Sequence, residues 1–168
     1  MSSFHVLICD DEEPAHVVLR NYCKQIPWID QVYEAYEGME AYGILQKKSV
    51  DILLLDIEMP GMKGLELAQQ LKNPPIIILT TAYPEYAIEG YRIDAIDYLL
   101  KPISTARFLE AMHRAKERLS QKKQGAKKAN ELWIRMDKVD RKLNPHDLLW
   151  VEAEGDYLRL QISGEAKR

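Results

Sequence analysis

The sequence predicts an α/β domain, a doubly wound parallel sheet of five strands, and three observations carry that prediction. Short aliphatic runs rich in branched side chains recur up to about residue 121, each stopped by Gly, Pro or a polar turn. Amphipathic stretches with helical spacing separate them, which is the alternation of a parallel sheet with crossover helices. Acids stand at the carboxyl ends of runs, most plainly Asp56 in Asp51-Ile52-Leu53-Leu54-Leu55-Asp56-Ile57-Glu58-Met59-Pro60-Gly61. Ligands bind at those ends in an open parallel sheet. A turn or cap acid is the competing reading of Asp56, and the residues at the other strand ends have to decide.

Taken in order, Phe4-His5-Val6-Leu7-Ile8-Cys9 is the first strand and Asp10-Asp11 follows it. Glu12, Glu13 and Pro14 open a helix, since acids favour its positive pole and proline fits the first turn. Val17, Val18 and Tyr22 are its apolar side, and Pro27 ends it. Asp10 and Asp11 read equally well as caps at this point. Val32 to Tyr36 is the second strand, and Met39, Tyr42, Ile44 and Leu45 mark a helix to Lys48. The central strand ending in Asp56 comes next. Leu65, Leu67, Ala68 and Leu71 describe a short helix, cut by Pro74-Pro75 from the strand Ile76 to Thr80. A helix from Pro84 through Ala87, Ile88 and Tyr91, then a strand Ile96 to Leu100 ending in Lys101-Pro102, complete the alternation. Ser104 caps the last helix, where Phe108, Met112, Ala115 and Leu119 share a face and Glu110 can pair with Arg114.

With 168 residues, a formal net charge of -3 and 46% hydrophobic content, the chain supports one solid core and a small extra piece. No apolar run approaches the roughly 20 residues of a membrane helix, and the start lacks the order of a signal peptide, so a soluble protein of the cytoplasm without a membrane partner is expected. Cys9 and Cys23 fall in apolar segments and read as buried free thiols. The four histidines, His16 and His113 included, fit no ligand or triad spacing and read as surface or core fillers. The near-neutral total opposes a whole-protein polyanion binder.

The domain so described spans residues 1–121, followed by a polar, basic linker or fraying helix end at 122–130. Lys116, Arg118, Lys122, Lys123, Lys127 and Lys128 cluster there. Helix ends and solvated linkers favour basic residues, and that reading is preferred to one of DNA phosphate contact. Residues 131–168 change texture. Leu132-Trp133-Ile134, Leu148-Leu149-Trp150-Val151 and Tyr157 to Ile162, split by Asn144-Pro145 and Gly155-Asp156, read as short strands of a small, mainly-β, incomplete piece.

With strand order 2-1-3-4-5, Asp10, Asp11, Asp56, Thr80 and Lys101 converge on one crevice. Clustered carboxylates suit a hard cation with oxygen ligands, Mg²⁺ above all. Lys101 adds a point charge and Thr80 a hydroxyl, and the group that fits such a site is a phosphoryl, with Asp56 as a carboxylate nucleophile.

At these residues the chain resembles the receiver domain of bacterial two-component response regulators, a flavodoxin-like fold, from Phe4 to Gln121. Asp10-Asp11, the strand to Asp56 with Met59-Pro60-Gly61, Thr80-Thr81-Ala82, and Asp97-Tyr98-Leu99-Leu100-Lys101-Pro102 appear in family order. The resemblance implies Asp56 as phosphoacceptor for a sensor histidine kinase, assisted by Lys101 and Thr80. It implies Mg²⁺ held by Asp10, Asp11, Asp56 and the backbone carbonyl of Glu58, with Asp11 a direct ligand. Thr80 and Tyr98 would form the switch pair, and Lys101-Pro102 would be cis, which proline makes accessible.

Asp147 to Tyr157 resembles the opening of a LytTR-type DNA-binding domain, whose recurring run is I-x-Y-I-E-A-x-x-x-Y. Val151-Glu152-Ala153 and Tyr157 match it, with Trp150 in place of Tyr. Ala82 to Ala87 also looks like receivers joined to such domains. The chain stops at Arg168, before that family's principal DNA-contacting loops, so a truncated domain is expected, with DNA readout only through the complete one. Two readings follow: a transcription regulator that pairs as a phosphorylation-dependent homodimer, or an interaction module and phosphoryl sink without DNA output. Haloacid-dehalogenase-type phosphatases share the residue types, but their acid pair flanks the nucleophile on one strand end. No enzyme is expected beyond slow self-dephosphorylation.

Overall fold

Ile52, Leu53, Leu54 and Leu55 are each at most 1% exposed, a condition only a central strand covered on both faces meets. The computed structural model describes residues 3–83, 93–129, 132–136, 139–143, 148–154 and 157–162. Their strand, β3 (Ile52–Asp56), is the middle of five parallel strands in the order β2-β1-β3-β4-β5, flanked by β1 (Phe4–Cys9), β2 (Ile29–Ala35), β4 (Ile76–Thr81) and β5 (Asp97–Leu100). The predicted order and fold class are those observed.

Alternation along each strand divides the core into two layers. Val6, Ile8, Ile52, Leu54 and Ile78 face α1 (Glu13–Cys23) and α4 (Thr105–Ala129) through Leu19, Cys23, Phe108, Met112 and Ala115. Leu7, Leu53, Leu55, Ile77 and Leu79 face α2 (Gly38–Lys47) and α3 (Gly64–Gln70) through Ala41, Leu67 and Ala68. Phe108 is fully buried, and its loss as Ala would cost about 3–5 kcal/mol.

Several local expectations are corrected. Val17 and Val18 are 40% and 39% exposed, and the stripe that α1 buries is His16, Leu19 and Cys23. That i, i+3, i+7 row faces the sheet, so adjacent valines fall outside it. Glu110 pairs with Arg107, while Arg114 reaches Asp97 at 2.9 Å, a partner on β5 that sequence spacing along the helix does not show. Ser104 does cap α4, its Oγ accepting from Arg107 N–H at 3.3 Å. The helix expected over Pro84 to Tyr91 lies outside the described residues, as do both turns at Asn144-Pro145 and Gly155-Asp156.

Residues 122–129, read as linker or fraying end, are helical in α4. Two compact units divide within that helix, Met1–Leu119 and Ser120–Arg168. The second contains two antiparallel hairpins, β6 (Leu132–Met136) with β7 (Val139–Leu143) and β8 (Leu148–Glu154) with β9 (Tyr157–Ile162). Strand β7 had no counterpart among the expected elements. Among the described residues, no helix is long and apolar enough to cross a membrane.

Candidate functional site

Parallel pairing brings the carboxyl ends of β1, β3, β4 and β5 to one edge of the sheet. Asp10 follows β1, its N–H making the last bond to β2 at Ala35 O, 3.1 Å. Its Oδ1 accepts from Glu12 N–H at 3.0 Å, a bond within the turn ahead of α1 rather than a helix cap, since the N-cap is Glu12 and has no side-chain cap bond. Its Oδ2 points elsewhere, to Lys101 Nζ at 2.8 Å. That contact is a close ion pair without hydrogen-bond alignment, and Oδ2 stays buried with no hydrogen bond among the described residues.

Asp56 ends β3, only 5% exposed. Its Oδ1 accepts from Glu58 N–H at 3.2 Å and its Oδ2 lies 2.7 Å from Lys101 Nζ. The turn beyond it is tight. Gly61 has φ +77, the left-handed region that favours glycine, and a Cβ on Gly64 would stand 2.0 Å from the Asp56 carbonyl oxygen. Lys101 is fixed by its own N–H, which donates to Thr81 O at 2.8 Å, and the Lys101-Pro102 bond is cis. Its ammonium also meets the exposed Glu12 at 3.3 Å.

Asp10, Asp11 and Asp56 each offer a carboxylate oxygen within 4.8 Å of the others. Three carboxylates against the one ammonium of Lys101 leave two negative charges in excess when all are ionised. Burial, the larger cause, and the charge of Asp10 push the Asp56 carboxyl above its ordinary value, against the pull of Lys101. Burial pulls the Lys101 ammonium down, but Asp10 and Asp56 outweigh it and hold its pKa above the usual range. Burial and the same two acids push the Cys9 thiol up to about 12, so it stays protonated beside the site.

Thr80 sits opposite Asp56 in the β3–β4 register. Its Oγ1 is buried without a hydrogen-bond partner among the described residues, an arrangement that costs free energy until a ligand supplies an acceptor. The excess charge and the all-oxygen donor set fit a hard divalent cation, and the Thr80 hydroxyl fits a phosphoryl-like group. Tyr98 stands apart, half-exposed on β5, its hydroxyl donating to the Tyr83 backbone carbonyl. Glu58 is drawn sideways to Lys63, 3.0 Å away.

Two residues near the site escaped sequence reasoning. Glu12 was read only as a helix opener. His16 was set aside as filler, yet it is fully buried with Nε2 2.7 Å from the Asp10 carbonyl oxygen. The signal was there: a polar residue in an otherwise apolar stripe with Leu19 and Cys23. A depression of about 570 Å³ lined by Tyr42, Leu45, Lys48, Lys72 and Pro75 lies at the opposite edge of the sheet and shares no residue with the acid cluster.

Comparison with known proteins bears on the same residues. The family described as response regulator receiver domain matches residues 6–113. The sensory transduction protein LytT of Oceanobacillus iheyensis is 34% identical over 167 residues, 96% of this chain and 68% of that protein. The transcriptional regulatory protein BtsR of Escherichia coli K12 is 39% identical over 117 residues, 68% of this chain and 49% of its own length. Among solved structures, the response regulatory domain of mrkE from Klebsiella pneumoniae superposes with TM-score 0.65 at 30% identity, covering 70% of this chain and 98% of that one. TrrA of Thermotoga maritima, solved in complex with Mg²⁺-BeF, gives TM-score 0.60 at 29% identity, covering 68% and 99%.

Proposed function

The chain belongs to the response regulator receiver family of two-component systems, and from that premise we propose that Asp56 accepts a phosphoryl group from a sensor histidine kinase in the cytoplasm. One observation carries the proposal. Lys101 Nζ touches Asp56 and Asp10 at 2.7 and 2.8 Å, while Thr80, opposite Asp56 in the sheet, has a buried Oγ1 with no hydrogen-bond partner among the described residues.

In this reading Asp56 is the nucleophile, its carboxylate oxygen forming an acyl phosphate as the donor's bond to phosphorus breaks. Lys101 turns from the two carboxylates toward the incoming phosphoryl oxygens as a mobile point charge. Thr80 donates its hydroxyl to one of those oxygens, ending its isolation. Asp10, Asp11, Asp56 and the backbone carbonyl of Glu58 hold Mg²⁺, with Asp11 as a direct ligand. When bound, the cation neutralises charge on the transferring group. The TrrA complex with Mg²⁺-BeF supports that assignment by family likeness. Tyr98 is the partner of Thr80 in the switch, moving inward as Thr80 engages the phosphoryl group. The chain is an acceptor rather than an enzyme, with at most slow self-dephosphorylation.

Downstream, phosphorylation promotes pairing of two chains and governs transcription through a LytTR-type DNA-binding domain, whose opening run residues 147–157 resemble. The LytT match supports this, because it runs through the second unit as well as the first. Intact mass after incubation with acetyl phosphate tests the acceptor. The expected result is one added phosphoryl group in the wild type with Mg²⁺, none without it, and none in Asp56→Asn. Addition to Asp56→Asn would place the acceptor elsewhere.

A further inference from the structure

We propose that His16 is a positioning residue for the acid pair, holding the Asp10-Asp11 peptide in the orientation in which its carboxylates take a divalent cation. The inference rests on the reading of Asp10, Asp11 and Asp56 as the cation site.

Asp10 is the last residue that β1 can pair. Its N–H completes the ladder at Ala35 O, and beyond it the chain turns into α1, so its carbonyl has no strand opposite. The residue is 0% exposed, which leaves no room for solvent to satisfy that oxygen. A buried carbonyl without a donor costs roughly 1–3 kcal/mol. His16 Nε2, 2.7 Å away, is the donor. A carbonyl only accepts, so Nε2 carries the hydrogen.

Fixing this carbonyl fixes more than one atom. The Asp10 C=O and the Asp11 N–H share a planar peptide, so the bond from His16 sets the plane from which the Asp11 side chain departs. Asp10 itself is then held at N–H, carbonyl and Oδ1, leaving Oδ2 to face Lys101.

The imidazole is in turn packed from behind. Its Nδ1 edge faces Glu34 Oε1 at 3.3 Å, a carboxylate that Arg20 grips at both oxygens, 2.7 and 2.8 Å. Tyr36 stacks on the ring, with centroids 4.1 Å apart and planes inclined by 24°. A residue that merely filled the core would need no short bond to a buried backbone carbonyl. Groups that orient ligand residues typically change metal affinity by about 10–100-fold when removed.

Calorimetric titration of the full chain with Mg²⁺ alone tests the inference, using His16→Leu, which removes the donor, and His16→Gln, whose amide can return an N–H to the Nε2 position. The expected result is an affinity at least about tenfold weaker in His16→Leu and within about threefold of wild type in His16→Gln. Unchanged affinity in His16→Leu overturns the inference, as does equal loss in both variants, which would assign the effect to side-chain shape. Where Leu prevents folding, the wild-type imidazole ¹⁵N spectrum decides. An exchange-protected Nε2–H whose resonance moves on Mg²⁺ saturation is expected, and a rapidly exchanging or unmoved one counts against the role. A wild type that takes up no Mg²⁺ sinks the cation-site reading and this inference together. Uptake by wild type and His16→Leu alike sinks only the inference.

Discussion

Lys101 reaches Asp56 with its Nζ 2.7 Å from Oδ2, although β4 lies between the strands that carry them. The bridge exists because the cluster has more carboxylate charge than the fold neutralises. An ammonium there stabilises the resting site and is already in place for an incoming phosphoryl group.

Replacing Lys101 by Ala removes that charge from between Asp10 and Asp56. Phosphorylation by acetyl phosphate is expected to slow at least about a hundredfold, the usual loss when a group that stabilises transition-state charge is deleted. Time-resolved intact mass at fixed Mg²⁺ measures it. A rate within a few-fold of wild type would show Lys101 to be structural.

Asp56 gives a prediction with a definite sign. Its folded-state pKa is raised above the ordinary value of 3.8, chiefly by burial. Ionisation is thus harder in the folded chain, and the group's contribution to stability declines as pH rises from 3.8 through the folded pKa, staying low above it. Asp56→Asn escapes the penalty. Its unfolding free energy should exceed wild type by about 1 kcal/mol at neutral pH, with the gain shrinking as pH falls through that window. Urea titrations at several pH values read this directly, and a variant less stable than wild type at pH 7 would contradict it. Wild-type phosphorylation should slow over the same acid window, because the nucleophile must be ionised.

Thr80→Val tests the isolated hydroxyl. Exchanging a buried oxygen that has no partner among the described residues for a methyl group of the same shape should stabilise the unphosphorylated chain by roughly 1 kcal/mol. Thermal unfolding in the absence of phosphodonor is the measurement. Destabilisation of similar size would mean that Oγ1 does find a partner in solution.

Gly64→Ala addresses the turn behind the acceptor. Its Cβ would lie 2.0 Å from the backbone oxygen of Asp56, and backbone cannot move aside as a side-chain tip can. A loss of at least about 3 kcal/mol is expected, together with slower phosphorylation of whatever remains folded. A melting temperature equal to wild type would refute the close packing.

The parts that were legible and those that were not differ in how local their cause is. β3 was plain because a strand buried on both faces is aliphatic at every position, and the chemistry-bearing side chains stood out where each run stopped. Val17 and Val18 misled because apolar character does not say which side of a helix meets the sheet. Arg114 finds Asp97 rather than Glu110 because a strand residue far away in sequence presents a carboxylate whose side chain is 7% exposed, and no helical spacing shows such a competitor. Strand β7, Val139-Asp140-Arg141-Lys142-Leu143, is mostly charged and pairs as half of a hairpin, so the aliphatic signature was missing. α4 continues through Gly125, since a run rich in Lys, Gln and Ala has enough helix propensity to absorb one glycine. His16 needed the fold, because its role comes from a carbonyl six residues earlier that only the turn brings back.

The two oxygens of Asp10 have separate employment, one closing the turn into α1 and the other facing the ammonium. Alleles at this codon therefore carry a mixed phenotype. Asparagine keeps an acceptor for the turn and discards only the charge, whereas alanine discards both. The difference between the two alleles isolates what the bend contributes, and the shortfall of asparagine from wild type isolates the electrostatics.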